Sequence, residues 1–147
     1  MKKSILMVCL GNICRSPLAE GILKSKVPKE KFFIDSAGTA SYHIGSPPDK
    51  RSIEVAKING IDISNQRARA FNKNDFESFN IIYVMDSQNY IDIMSMCKSK
   101  EEEAKVKLIL GDQNVPDPYY GNISDFKAVY SLLNKICEEI SGELLNV

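Results

Sequence analysis

The sequence predicts an α/β fold: three layers, α/β/α, with a central four-stranded parallel sheet. Two observations carry this reading. First, short continuous apolar runs alternate with segments of helical periodicity in the order βαβαβαβα, an alternation that builds parallel sheets through right-handed crossovers. Second, the first run, Ile5-Leu6-Met7-Val8, is apolar at every position, as a strand buried on both faces must be. The 147 residues, 44% hydrophobic and 26% charged, suit one domain spanning 1–147 with a sizeable core.

The elements follow in order. After the strand over 5–8, a loop leads into a helix from Pro17 to about Val27, with Leu18 and Ile22 sharing a face with Ala19 and Leu23; Pro28 ends it. Phe32-Phe33-Ile34 is the second strand, and Ala37 to Pro48 is a loop marked by Gly38, Gly45, Pro47 and Pro48. Asp49 opens a helix through Asn59, and Gly60 stops it. Residues 67–71 read as irregular or a brief strand, and 74–79 as one helical turn. Ile81 to Met85 is the third strand; Asp86 caps a helix to about Lys98. The run Lys98-Ser99-Lys100-Glu101-Glu102-Glu103 reads as solvated surface. Val106, Leu108 and Leu110 alternate with their neighbours as a fourth strand, and residues 111–121 form a loop. The last helix is the clearest, with Phe126, Val129, Tyr130, Leu133, Ile136, Cys137 and Ile140 in one apolar stripe.

Composition excludes several classes of function. With 19 basic and 19 acidic residues the formal net charge is zero, so nucleic acid and anionic membrane are not expected partners. The four cysteines, Cys9, Cys14, Cys97 and Cys137, show no metal spacing, and the chain has one histidine; no metal or cofactor is expected. No run is long enough to span a membrane. Met1-Lys2-Lys3 followed by an apolar run superficially looks like a signal peptide, but the run is too short and is interrupted at Gly11, Asn12 and Arg15. A cytoplasmic location, where thiols stay reduced, is expected.

The chain is organised around Cys9 to Pro17, C-L-G-N-I-C-R-S-P. Cys9 ends a strand and Arg15 begins a helix. In open α/β sheets, ligands bind beyond the carboxyl ends of the strands. A helix N-terminus presents unpaired N–H groups and a partial positive charge, and a loop curling into it makes an anion-binding nest. Gly11 permits a close turn, and Asn12 is the non-glycine type that best tolerates a left-handed conformation. Ser16 before Pro17 reads as an N-cap. Arg15 offers a planar fork for two phosphate oxygens, and these surroundings favour a thiolate at Cys9. The plainer reading is a structural cysteine buried on a tight turn.

C-L-G-N-I-C-R-S-P resembles the phosphate-binding loop of the low-molecular-weight protein tyrosine phosphatases. Asp117-Pro118-Tyr119-Tyr120-Gly121 resembles their general-acid loop, and length, order and spacing agree over nearly the whole chain. The resemblance implies hydrolysis of phosphotyrosine and small aryl phosphates through a cysteinyl-phosphate on Cys9. It places the phosphate against Leu10, Gly11, Asn12, Ile13, Cys14 and Arg15, and makes Asp117 the proton donor and later the base; alone, Asp-Pro is also an ordinary turn starter. It implies that Ser16 bonds the Cys9 sulfur and that Asn12 and Ser36 brace the loop. The family commonly adds a histidine to that brace; here the position is Gln66, whose amide can still bridge. Cys14 would form a reversible disulfide with Cys9, or simply pack as a small residue.

Tyr42, Tyr119 and Tyr120 would line the pocket mouth, the alternative being ordinary loop aromatics. Ile13 stands where relatives acting on phosphoarginine carry threonine, which favours phosphotyrosine. Partners would be phosphotyrosine proteins, with inorganic phosphate and other oxyanions as inhibitors. His43 reads as a loop surface residue, Cys97 and Cys137 as core helix residues. Two competing functions stand beside this one. A thiol-dependent arsenate reductase would need a relay of further cysteines, and Cys97 and Cys137 lie far apart on different helices. A non-catalytic phosphotyrosine-binding module would have no need of Cys9, Arg15 and Asp117 together.

Overall fold

A computed structural model describes residues 2–146. In chain order the elements are β1 (Lys3–Cys9), α1 (Arg15–Lys26), β2 (Phe32–Gly38), α2 (Lys50–Ile58), α3 (Asp75–Ser78), β3 (Ile81–Val84), α4 (Ser87–Met94), α5 (Lys100–Lys105), β4 (Val106–Leu108) and α6 (Ile123–Leu145). The strands pair in parallel in the order β2-β1-β3-β4, the expected four-stranded sheet between helical layers. Because the chain leaves β1 toward β2 on one side and returns to β3 on the other, a crevice opens beyond the carboxyl ends of β1 and β3.

Side-chain alternation divides β1 between two cores. Ile5, Met7 and Cys9 face a cluster with Leu18, Ile22 and Leu23 of α1 and Phe126, Leu133 and Cys137 of α6. Leu6 and Val8 face the other side, with Phe76, Phe79, Ile82 and Ile93. This two-sided burial is why β1 reads as a continuous apolar run. Burying each such large apolar side chain contributes roughly 1.5–3 kcal/mol, so the strand that delivers Cys9 is the most firmly held in the sheet. α6 begins with a capping box: the Asn122 side chain accepts from the N–H of Asp125, and the Asp125 carboxylate accepts from the N–H of Asn122.

Some boundaries differ from expectation. α4 stops at Met94, and Cys97 lies half-buried beyond it rather than in a core helix. The charged run is indeed solvated, but it is helical. Ser99 caps α5 through the N–H of Glu102, and Glu101, Glu102 and Glu103 occupy its first turn, where carboxylates suit the helix dipole. β4 keeps only residues 106–108, so Leu110 falls in the turn after it. Ser16 is not an N-cap. α1 starts two residues earlier than expected, at Arg15, with Cys14 at the cap position and no side chain bonding the first-turn amides.

Gly38, assigned to the loop by sequence, is the last residue of β2 and pairs with Cys9. A Cβ there would lie 2.7 Å from the Leu10 carbonyl oxygen and 3.1 Å from that of Ala40. These are backbone atoms of the loops leaving β1 and β2, so neither can swing aside as a side chain would. Gly38→Ala is expected to destabilise the protein by about 2–3 kcal/mol, read by denaturant unfolding, with the Leu10–Gly11 backbone displaced. An unchanged unfolding midpoint would show that the loop tolerates the methyl.

Candidate active site

The loop between β1 and α1 wraps one end of a pocket of about 110 Å³, lined by Cys9, Leu10, Gly11, Ile13, Cys14, Arg15, Tyr42, His43, Asp117, Tyr119 and Tyr120. Its shape depends on Asn12, the one non-glycine residue with positive φ (58°) among those described. Asn12 pins that conformation with every polar atom of its side chain. Nδ2 donates to Ser16 Oγ (2.7 Å) and Ser36 Oγ (3.0 Å), and Oδ1 accepts from the N–H of Arg69 (3.0 Å).

These bonds fix the direction of the neighbouring hydroxyls. Ser36 accepts from Asn12 and donates to Glu20 Oε1 at 2.6 Å. Ser16 also accepts from Asn12, so its own proton is free to point at Cys9 Sγ, 3.0 Å away. The result is a relay of oriented dipoles from Glu20 to the sulfur. Glu20 also accepts from Lys24 at 2.6 Å. Burial pushes its carboxyl up, opposed by the bonds from Lys24 and Ser36.

Ser16, recruited inward, cannot cap α1. The backbone N–H groups of residues 11–15 make no hydrogen bond to a loop or side-chain acceptor among the described residues, and no acidic residue sits in the first turn of α1. The loop therefore leaves donors without a protein acceptor at the positive end of α1.

Arg15, 2% exposed, supplies the charge. Its Nη1 donates to Asp86 Oδ2 (2.7 Å) and to the Val115 carbonyl (2.9 Å). Among the described residues none of its hydrogen bonds uses Nε or Nη2, so that edge of the fork is open to an anion. Burial works to lower its pKa, but Cys9, the bond to Asp86 and Asp117 outweigh this and raise it. Asp86 serves twice, since its other oxygen caps α4 through the N–H of Asn89 at 2.8 Å.

Asp117 lies at the rim. Its Oδ2 is 3.6 Å from Arg15 Nη2, and its Oδ1 accepts from the N–H of Tyr119 at 3.1 Å. Cys14 faces the same pocket. Burial, reinforced by Asp49, Cys9 and Asp117, pushes its thiol far up, only weakly opposed by Arg51; it stays a neutral thiol at ordinary pH. The walls are aromatic. Tyr42 (75% exposed) and Tyr120 (94% exposed) stand at the outside, with Tyr119 between. Tyr119 meets Tyr120 edge-on, centroids 4.9 Å apart.

Every residue expected against the phosphate except Asn12 lines this one pocket, together with Asp117 and the three tyrosines; the Asn12 side chain turns away to meet Ser16 and Ser36 behind it. Gln66 does not join the brace. Its Nε2 donates to the Pro17 carbonyl at 3.1 Å, and its buried Oε1 has no partner. Glu20 and the N–H of Arg69 complete the Asn12–Ser36 network in its stead. His43 is on the wall rather than a bystander: its ring packs on Gly11, where a Cβ would sit 3.1 Å from Cδ2, and lies 6.3 Å from Tyr119 between ring centroids. Sequence reasoning missed His43, Glu20 and the second bond of Asp86. Glu20 had a signal, since residues four apart share a helix face and Ser16 was already singled out.

Comparison with known proteins agrees with this geometry. The family model for low molecular weight phosphotyrosine protein phosphatase matches residues 4–146. A chicken low molecular weight phosphotyrosine protein phosphatase is 42% identical over 147 residues, covering 92% of each chain. Among solved structures, an Entamoeba histolytica protein tyrosine phosphatase with Hepes in its active site superposes with a TM-score of 0.93 at 35% identity, covering 99% of this chain and 98% of that one. Vibrio vulnificus Wzb in complex with benzylphosphonate gives 0.88 at 29% identity, covering 97% and 99%. No helix among the described residues is long and apolar enough to cross a membrane. The pocket, the fold around it and these likenesses agree that the chain belongs to the low molecular weight phosphotyrosine protein phosphatases and is a phosphoric monoester hydrolase.

Proposed function

We propose that this enzyme hydrolyses phosphotyrosine in proteins, and small aryl phosphates, through a phosphorylated Cys9. One observation carries the reading: a buried thiol and a buried guanidinium stand at the two ends of a loop whose five amides at residues 11–15 lack loop or side-chain acceptors, around one pocket with a carboxyl at its rim.

In the first step the Cys9 thiolate attacks phosphorus in line with the tyrosyl oxygen. A P–S bond forms as the P–O bond breaks, and the Asp117 carboxyl gives its proton to the departing phenolate. Charge on the equatorial oxygens meets the amides of residues 11–15 and the free edge of Arg15, donors that need no reorganisation. In the second step water attacks phosphorus, Asp117 takes its proton, and sulfur leaves as a thiolate. The hydrogen bond from Ser16 favours that leaving thiolate. Cys14, held neutral, does not compete as nucleophile. If peroxide oxidises Cys9 to the sulfenic acid, the Cys14 thiol can condense with it, releasing water and forming a disulfide that thiols reduce.

The substrate class follows from the walls. Tyr42, His43 and Tyr119 offer flat faces to a flat ring, and benzylphosphonate, held by the Vibrio neighbour, has that shape. Hepes in the Entamoeba enzyme carries a sulfonate, which supports inorganic phosphate and other oxyanions as inhibitors. Proteins bearing phosphotyrosine are the assigned partners, and a cytoplasmic location suits a working thiolate.

Cys9→Ser is expected to lose at least about 10³-fold in kcat on p-nitrophenyl phosphate, because the hydroxyl lacks the ionised nucleophile, while still binding vanadate or phosphate by calorimetry. Asp117→Asn is expected to lower kcat/KM on phenyl phosphate by about 10²-fold or more yet on p-nitrophenyl phosphate far less, since a good leaving group needs little protonation; an equal loss of kcat/KM on both would remove Asp117 as the proton donor.

The brace has its own test. Asn12→Gly keeps the backbone turn but loses the three hydrogen bonds, and Asn12→Ala adds the cost of a left-handed residue, about 1–2 kcal/mol. Thermal melts should rank wild type above Gly and Gly above Ala, and both variants should lose kcat. Equal melting of all three would show the loop to be held by other contacts.

A further inference from the structure

The first turn of α2 lies between the two halves of the site. Asp49, the N-cap of α2, donates its N–H to the Ile13 carbonyl (2.8 Å), and Ser52 Oγ donates to the Cys14 carbonyl (3.3 Å). Both acceptors belong to the phosphate-side loop. Between them in sequence, Arg51 turns the other way. Its Nη2 donates to the Tyr119 carbonyl (2.9 Å) and its Nη1 to the Gly121 carbonyl (2.9 Å). Asp49 aims the guanidinium with bonds from Nε (3.0 Å) and Nη2 (3.0 Å), and the Phe126 ring lies beneath it, 4.2 Å from Cζ to the centroid.

Besides the 3.6 Å ion pair of Asp117 with Arg15, the segment 116–121 has little else to hold it. Among the described residues, its other hydrogen bonds are internal: Tyr119 N–H to Asp117 Oδ1 and Gly121 N–H to the Pro118 carbonyl. On its far side, Pro116, Pro118 and Tyr120 border a hollow of about 420 Å³ against Ala128, Val129 and Leu132 of α6. The Arg51 fork is thus the one hydrogen-bonded tie between the acid segment and the rest of the fold.

We infer that Arg51 is a positioning residue that sets where the Asp117 carboxyl stands relative to Cys9, by strapping the acid segment to the helix turn that also grips the phosphate-side loop. The inference rests on the assignment of Asp117 as proton donor. Arg51 does not line the pocket floor, and its guanidinium is occupied by Asp49 and the two carbonyls, so its effect passes through Asp117. A small displacement of a donor costs far more when the leaving group needs the proton. Lysine is a poor substitute because a single ammonium cannot span two carbonyls and a carboxylate as the fork does.

The test compares kcat/KM, which reads the phosphoryl-transfer step, on p-nitrophenyl and phenyl phosphate. Arg51→Ala is expected to lose about tenfold or more on phenyl phosphate and less than about threefold on p-nitrophenyl phosphate, with Arg51→Lys between it and wild type. In an Asp117→Asn background, adding Arg51→Ala should change the ratio between the two substrates by less than about twofold, because the donor it positions is gone. Equal losses on both substrates, as from general loosening, would overturn the inference, as would a leaving-group bias that persists in the double variant. If Arg51→Ala does not fold, Arg51→Lys alone decides by the same ratio. Asp117→Asn itself without bias would remove the donor and the strap together; Asp117→Asn with bias beside Arg51→Ala without it would remove only the strap.

Discussion

The site is built on one buried cation. A guanidinium taken out of water costs several kcal/mol unless it is paired and hydrogen-bonded, and Arg15 is almost fully enclosed. Its Nη1 meets that requirement with a carboxylate and a carbonyl from two other parts of the chain. Asp86 follows β3, and Val115 follows β4 and donates its own N–H to the Met85 carbonyl. Three connections, after β1, β3 and β4, therefore converge on one nitrogen. The parallel topology makes this possible, because it brings the carboxyl ends of β1 and β3 together with the crevice between them. Removing Asp86 would leave the charge buried and unpaired and uncap α4 at once, so the anchor and the fold share one carboxylate.

Around that cation the loop stores its directionality in dipoles rather than in further charge. Asn12 holds a left-handed backbone that costs about 1–2 kcal/mol for a non-glycine residue, and three hydrogen bonds of roughly 1 kcal/mol each can offset it. Because both amide protons of Asn12 are spent on Ser16 and Ser36, each hydroxyl has only one way to turn. Ser36 points to Glu20 and Ser16 to Cys9. A hydroxyl fixed toward sulfur fills one contact of Cys9 with a donor and leaves its other side open to the pocket. Gln66, with an unpartnered buried oxygen, stands outside this relay, which closes through Glu20 instead.

The strands were legible because burial on two faces erases alternation: Ile5 to Val8 and Ile81 to Val84 have no polar position to obscure them. The motif was legible because glycine, asparagine and arginine each answer a local demand of the turn. The errors arose where a residue had two possible partners. Ser16 had the sequence of a cap, but Asn12 and Cys9 claimed its hydroxyl. The run from Lys98 to Glu103 was read by charge alone, although Ser99 and Glu102 stand at capping spacing and start α5. Asp86 was visible as a cap; its second oxygen and Arg15 are 71 positions apart in sequence. His43 and Arg51 were illegible for the same reason: what makes each matter is a loop that only the folded chain brings alongside.

The two sides of the pocket are held in contrasting ways, and the chemistry explains the contrast. The Cys9 side is gripped by β1, by the Asn12 network and by the buried Arg15, as befits groups that on the proposed mechanism meet the same trigonal phosphoryl unit in both steps. The acid side is a proline-flanked segment over a hollow, tied down by one arginine fork. On the proposed mechanism a phenol leaves past Asp117 and a water enters before the second step, so a carboxyl fixed as rigidly as the sulfur would obstruct the reaction. Segments with few outward bonds are those that open at low cost, and a single fork fixes the resting place of the carboxyl without locking it there. Precision at phosphorus and freedom at the leaving group are in this way assigned to different parts of the fold, and the first turn of α2, bonded to both, is where they are brought into register.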